Sequence, residues 1–372
     1  MGDDTITDSH ATRPGRPGVH TLAVLVGVLT FALIAIGGNV TSLGAGMAFP
    51  EGWTTGGYWS LLAPLETWWH NTAQFWEHSH RLQGYLVGSV FIALAIVLWG
   101  REVWLAKRWG ETPRWWLAIV GTVALLLVIG QGVLGAVRVD WHSRAVAFIH
   151  GINGQLLLAL TVLIAAATSR PWLTLARDPA QRDRRLGKGM RVAGWGLLAI
   201  LVLQLVLGAA VRHTNATLAI PDFPTSYGGV LPPMNEVALE KALAPDRQAP
   251  ATQPAGVTAN PDFGYTIMDV HLHFTHRVMA GVVMIWGLAL VIGLGAKAPG
   301  RRELMLPRVW LVALLLAQVM LGALVIWQRA APAVATAHQA MGAALLAVAT
   351  WLAIRIHLVT APSRQARDAA PR

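Results

Sequence analysis

Eight windows of this chain run for at least 19 residues without a single Asp, Glu, Lys or Arg: 17 to 50, 82 to 100, 115 to 137, 145 to 169, 192 to 211, 278 to 296, 309 to 328 and 330 to 354. A helix that crosses a bilayer needs about 20 apolar residues, and lipid offers the backbone only a helix or a closed barrel. The windows therefore predict an all-α, polytopic membrane protein with eight transmembrane helices. Composition agrees: 54% of the 372 residues are hydrophobic, 13% are charged and 17 are Trp, a profile that a soluble domain does not require. Trp53, Trp59, Trp68, Trp69 and Trp76 crowd the segment after the first window, which suits the interfacial belt.

Assigning the loops alternately to two sides puts 21 of the 29 Lys and Arg on one side, in the N-terminal tail, 101–114, 170–191, 297–308 and the C-terminal end. The positive-inside rule then places both termini in the cytoplasm. The net charge of +10 is mostly this bias. It is not a nucleic-acid footprint, because no basic patch is interleaved with aromatics, and the basic run Arg182 to Arg191 reads as a solvated cytoplasmic loop. The bilayer is the expected partner, and nucleic acid is not. Cysteine is absent, which removes disulfides, thiolate ligands and thiol relays; redox chemistry would need a cofactor. Asp3, Asp4 and Asp8 precede the first span beside only two Arg, fitting neither a cleaved signal peptide nor an acid-poor transit sequence. A bacterial cytoplasmic (inner) membrane is the expected location.

The chain repeats itself. Gln131-Gly-Val-Leu-Gly135 matches Gln318-Val-Met-Leu-Gly322 at an offset of 187, His150 matches His338 at 188, and His80 matches His276 at 196. This reads as two tandem four-helix bundles. Since four is even, both copies have the same orientation, and their pseudo-two-fold axis should run along the membrane normal. The expected division is a cytoplasmic N-tail (1–19), an N-terminal half (20–169), a cytoplasmic linker (170–190), a C-terminal half (191–358) with a long outer loop (213–267), and a cytoplasmic C-tail (359–372). Residues 229 to 262 read as an irregular periplasmic cover.

Both halves carry the same polar signature in otherwise apolar helices: Glu77, His80, Arg81 and His150, then His273, His276, Arg277 and His338. Ionisable residues at membrane depth are costly and mark function by default. Two imidazoles from facing helices of a four-helix unit suit the axial positions of a haem iron, toward the periplasmic side. A zinc hydrolase would want three protein ligands and an open position. A single histidine at a span end is more often an interfacial or hydrogen-bonded residue, and His10, His20, His70, His78, His142, His213, His271 and His357 are read so. Duplication in register singles out the other four. Gly84, Gly88, Gly151, Gly154, Gly281, Gly342 and Ala343 would leave room for a flat macrocycle. Arg81 and Arg277 are expected to pair with propionates, with snorkelling anchors as the alternative.

One position breaks the repeat: three residues before the ligand, the first half has Glu77 and the second has His273. Positions i and i+3 share a helix face, so Glu77 lies about one turn, ~5 Å, from His80 along the axis. A carboxylate there could act as a base, orient water or stabilise positive charge; a salt bridge with Arg81 is the structural alternative.

These residues resemble the haem A synthase family, membrane enzymes that convert haem O to haem A for terminal oxidases. The resemblance covers about 20 to 358 and rests on Glu77-x-x-His80-Arg81, Phe148-Ile-His150-Gly-x-x-Gly154-Gln155, His273-Phe-Thr-His276-Arg277 and Ala337-His338-Gln339-x-x-Gly342, with Gly44-Ala-Gly46 and Pro221-Asp-Phe-Pro224 after the first and fifth helices. It implies that His276 and His338 hold a resident haem b, that His80 and His150 bind haem O as substrate, and that Glu77 is catalytic. It also implies that the porphyrin C8 methyl is hydroxylated successively to a gem-diol, which loses water to leave a formyl group, while the second haem passes electrons away from the first. Haem O synthase and terminal oxidase assembly factors become candidate partners, and a homo-oligomer stays open. Many relatives carry cysteine pairs in the outer loops where this chain has Phe49 and Ile220, and Glu51-Gly52 interrupts the usual Pro-Asp-Trp-Pro. The residues alone also admit a non-enzymatic di-haem b-type electron carrier or a haem transporter; an acid on one site only favours the enzyme.

Overall fold

The computed structural model describes residues 17–109, 113–177, 186–247 and 264–360. The outermost parts of both tails, His10, residues 182–185 of the basic run and residues 248–263 of the outer loop lie outside the described residues. The chain is a multi-pass membrane protein with eight helices long and apolar enough to span a bilayer. They are α1 (Pro17–Ser42), α2 (Thr72–Trp109), α3 (Trp115–Asp140), α4 (Arg144–Thr168), α6 (Gly187–His213), α8 (Ile267–Lys297), α9 (Arg302–Trp327) and α10 (Pro332–Thr360). Two short helices stand outside this set: α5 (Arg170–Arg177) and α7 (Glu236–Arg247). The segment expected to be an irregular cover therefore contains a helix at α7, whose charged, mildly amphipathic sequence carries no membrane signal.

In the first half α1 and α3 each pack on α2 and α4; in the second, α6 and α9 each pack on α8 and α10. The halves meet through α1, α4, α6 and α10, with α1 against α10 matched by α6 against α4. That reciprocal exchange is what a pseudo-two-fold produces. Each half has its own core. Phe91, Leu94 and Leu98 of α2 meet Leu117 of α3 and Ile164 of α4, and Leu290 and Leu294 of α8 meet Leu311 and Leu315 of α9 and Leu346 of α10. Helices in lipid associate through close packing rather than by escaping water, and glycines allow it: a Cβ on Gly121 would sit 2.6 Å from Leu98 Cδ1, and one on Gly287 2.7 Å from Leu315 Cδ1. The outward faces carry Ile96, Leu126, Ile285 and Ile292, all largely exposed. Such a girdle belongs in hydrocarbon.

The outer segments fold over the bundle ends. After α1 comes a short antiparallel ribbon, β1 (Thr54–Thr55) paired with β2 (Tyr58–Trp59), and two 3₁₀ turns. After α6 comes a 3₁₀ turn at Ala216–Leu218 and a tight loop, 222–229, closed on Asp222. A capping box, Thr266 with Asp269, starts α8, and the Ser143 hydroxyl accepts from Val146 N–H to start α4.

Candidate functional site

The four singled-out histidines come together as two pairs. The rings of His80 on α2 and His150 on α4 meet edge to face, with centroids 6.5 Å apart and planes at 75°. Imidazole nitrogens bond metals at about 2 Å, so two rings on opposite sides of one ion have centroids about 6 Å apart. In the second half, His276 on α8 and His338 on α10 occupy the corresponding positions, each ring beside a glycine of the neighbouring helix. His80 Nδ1 and His338 Nδ1 are buried without a hydrogen-bond partner, an unusual condition for a buried polar atom. Paired imidazoles, one in each pair with an unpartnered ring nitrogen, fit residues that would hold a haem iron. Among the described residues no three His, Cys, Asp or Glu side chains cluster as ligands for a bare ion.

Each ring rests against a glycine of the neighbouring helix. Ideal Cβ atoms on Gly37, Gly135, Gly208 and Gly322 would lie 2.8, 3.1, 3.0 and 3.2 Å from Cε1 of His80, His150, His276 and His338 respectively. Sequence reading missed this role for all four, although Gly135 and Gly322 stood inside the repeated motif. Of the glycines expected to leave room for a macrocycle, a Cβ on Gly84, Gly88 or Gly281 would meet open space, whereas one on Gly151 would approach His213, one on Gly154 Gln131, and one on Gly342 Leu205 and Gln318. Ala343 is fully buried.

Above each pair the polar residues at the helix start hold the outer segment down. The Glu77 carboxylate, 2% exposed, accepts at Oε2 from the backbone N–H of Ala48 (2.7 Å) and Phe49 (3.1 Å), and at Oε1 from Arg81 Nη2 (2.6 Å). Arg81 also donates to the carbonyls of Thr54 (2.6 Å) and Glu51 (3.0 Å). The second half copies this frame: the Ile220 N–H points at His273 Nδ1 (3.2 Å), and Arg277 lies 3.2 Å from His273 Nε2 while donating to the carbonyls of Thr225 and Ile220. The two arginines, expected at propionates, thus have their guanidinium groups on outer-segment carbonyls. Phe49 and Ile220, the positions without cysteine, supply the amides that Glu77 and His273 face, and both are buried. Gly52 is needed there, since a Cβ would fall 2.2 Å from the Ala136 carbonyl.

Other polar residues were not anticipated. Gln131 donates to the His150 carbonyl (2.9 Å), its own carbonyl lies 3.2 Å from His150 Nδ1, and Asn153 donates to its side chain (2.7 Å). Gln204 donates to the His276 carbonyl (3.1 Å), with its amide 3.2 Å from His276 Nδ1. Arg138, at the end of α3, makes one long hydrogen bond, to the Gly46 carbonyl (3.4 Å), close to the first pair. Arg212 ties the halves together, donating to the Gly38 carbonyl and the Ser42 hydroxyl (2.7 Å each) and to Gln339. Of the histidines expected to be ordinary, His78 stacks on Trp68 and bonds Thr55, His20 bonds the Ala165 carbonyl, His213 meets Phe148 and His357 meets Trp195, whereas His271 Nε2 is buried without a hydrogen-bond partner.

Fold and site together define a duplicated, eight-span membrane protein with one pair of partly buried histidines per four-helix bundle. The chain belongs to the cytochrome oxidase assembly protein family, COX15-CtaA, whose model matches residues 21–350. It is similar to proteins named heme A synthase. That of Methylorubrum populi is 28% identical over 391 residues, covering 94% of this chain and 91% of the relative. That of Geobacillus kaustophilus is 28% identical over 358 residues, covering 92% and 95%. That of Rhodopseudomonas palustris strain HaA2 is 27% identical over 312 residues, covering 83% and 75%.

Proposed function

We propose that this chain is an oxidoreductase that makes haem A from haem O, oxidising the C8 methyl of the porphyrin to a formyl group by successive hydroxylations. The observation that carries the reading is the opposed pair His80 and His150, 6.5 Å apart, in the half that also holds the buried acid Glu77. Similarity to heme A synthases along most of the chain supports it.

In this reading His80 and His150 hold the substrate iron, and His276 and His338 hold a haem b. That second haem, when bound, supplies a one-electron relay away from the substrate. The residues around the first pair do the rest. Gly37 and Gly135 give both imidazoles room to turn edge-on to their neighbouring helices. Glu77, anchored by two amides and Arg81, keeps a negative charge one turn from His80, where it can stabilise positive charge developing on the substrate or take a proton from water. The same bonds seal the outer segment over the site. Arg138 is the cation with donors to spare for a propionate; Arg81 and Arg277 serve first as anchors and reach propionates only from their outer edges. The sites then lie on the periplasmic side of a bacterial inner membrane, with both termini cytoplasmic. Haem O synthase and oxidase assembly factors are natural neighbours.

The test is to express the chain with and without a source of haem O, extract the bound haems and determine their masses. A formyl-bearing haem that depends on haem O supports the reading. Haem bound but never altered would instead fit an electron carrier or a transporter.

A further inference from the structure

Two of the four ring-seating glycines are followed, about one turn along their helix, by an arginine: Gly135 by Arg138 at i+3 and Gly208 by Arg212 at i+4. Both spacings share a helix face. The repeat supplies neither cation twice. Val325 stands where Arg138 would fall after Gly322, and Thr41 where Arg212 would fall after Gly37. Each half thus has one arginine a turn beyond the seat of one of its histidines, on α3 in the first and on α6 in the second.

Arg212, in the last turn of α6, is partly buried. Its Nη2 donates to the Gly38 carbonyl and the Ser42 hydroxyl, 2.7 Å each, and its Nη1 donates to the side chain of Gln339, the residue after His338. All these acceptors are neutral, and among the described residues no Asp or Glu forms an ion pair with it. Of the five N–H donors of a guanidinium, Nε–H and one on Nη1 are left over. A clamp between helices needs donors rather than charge. A charge inside a membrane bundle is costly and marks function by default, and the C-terminal dipole of α6 offsets only part of that cost.

We infer that Arg212 receives a propionate of the haem held by His276 and His338, so that the missing carboxylate arrives with the haem. This rests on the reading that the second pair takes up a haem. The second half is the one served, because Arg212 shares the α6 face with the seat of His276 and bonds the neighbour of His338. Arg277, the other cation of that half, has its guanidinium on the Thr225 and Ile220 carbonyls.

The experiment uses the full chain in detergent, in a His80→Ala, His150→Ala background where bound haem reports the second half alone. The probes are ferric haem b and its dimethyl ester, in which both propionates are uncharged, and affinity is read by absorbance titration. The background should prefer the free acid by at least about tenfold, as a charge-assisted hydrogen bond is worth. Arg212→Gln, which keeps a donor for the Gly38 carbonyl, should shrink that preference about tenfold while binding the ester as the background does. An unchanged preference, or an equal loss of both probes, makes Arg212 a clamp and overturns the inference. Equal affinity of the background for acid and ester overturns it without any change at Arg212, which covers a variant that fails to fold. If the background takes up neither probe, the reading of the second half falls with it.

Discussion

Glu77 and Arg81 form an i, i+4 ion pair at 2.6 Å whose counterpart in the second half is His273 with Arg277 at 3.2 Å. The two frames look alike but differ in capacity. A carboxylate accepts at two oxygens and serves Ala48, Phe49 and Arg81 at once. A neutral imidazole has a single acceptor nitrogen, so His273 serves either the Ile220 N–H or Arg277 at any moment. Of the two outer segments, the one over the acid is thus held more firmly.

Glu77→His gives the first half the second half's arrangement, removing the negative charge while keeping one acceptor for the outer segment. If the carboxylate is needed for the reaction, this variant keeps its bound haem and loses product by about 100-fold or more, in line with the usual contribution of an acid–base or charge-stabilising group. Product formation near the wild-type rate would reduce Glu77 to an anchor.

Removing one partner of a buried ion pair strands the other and typically costs about 3–5 kcal/mol. Arg81→Met strands a carboxylate that is 2% exposed, though the Ala48 and Phe49 amides still bond it, so a loss of about 3 kcal/mol is expected. Arg277→Met likewise frees two loop carbonyls but leaves an imidazole rather than a carboxylate behind, and should cost clearly less. Thermal unfolding of the two variants side by side checks the order.

Gly37→Ala places a methyl 2.8 Å from His80 Cε1, a separation real Cβ atoms do not sustain, whereas Gly322→Ala places one 3.2 Å from His338 Cε1. The first forces His80 to shift. Haem affinity of the first half should fall about tenfold, as when an outer-shell partner is lost, and that of the second by less. Absorbance titration with haem b in half-specific backgrounds distinguishes them.

Outside the spans, burial pushes Asp222 up, but the Thr225 hydroxyl (2.5 Å) and the N–H groups of Gly228 (2.8 Å) and Tyr227 (2.7 Å) outweigh it and hold its carboxyl below the usual range. A depressed folded-state value means the loop is stabilised above the unfolded value, about 4, and loses that stability as pH falls through the folded one. Amide protection across 222–229, taken relative to the intrinsic exchange rate at each pH, should therefore fall below about pH 4 in the wild type and be lower but flatter with pH in Asp222→Asn.

The spans were legible because charge-free windows of that length have one physical solution in lipid. The four histidines were legible because imidazoles interrupt those windows in register. The glycines that seat them were not: glycine is common in membrane helices, and nothing in the sequence marks Gly37 or Gly208 as lying against an imidazole. The acceptors of Arg81 and Arg277 were hidden for another reason. They are loop carbonyls, and the path that brings Glu51, Thr54, Ile220 and Thr225 to those arginines is set by tertiary folding. Helix α7 escaped because a short, charged helix lacks the apolar run that betrays a span.

On the proposed reading a haem is changed at the first histidine pair and kept at the second. Co-expression with a source of haem O, followed by mass analysis of the haems extracted from the wild type and from His80→Ala, His150→Ala, tests it most directly. The expected result is a formyl-bearing haem from the wild type, and a retained haem b with no formyl product from the variant. Formyl product at wild-type levels from the variant, or none from the wild type, would contradict it.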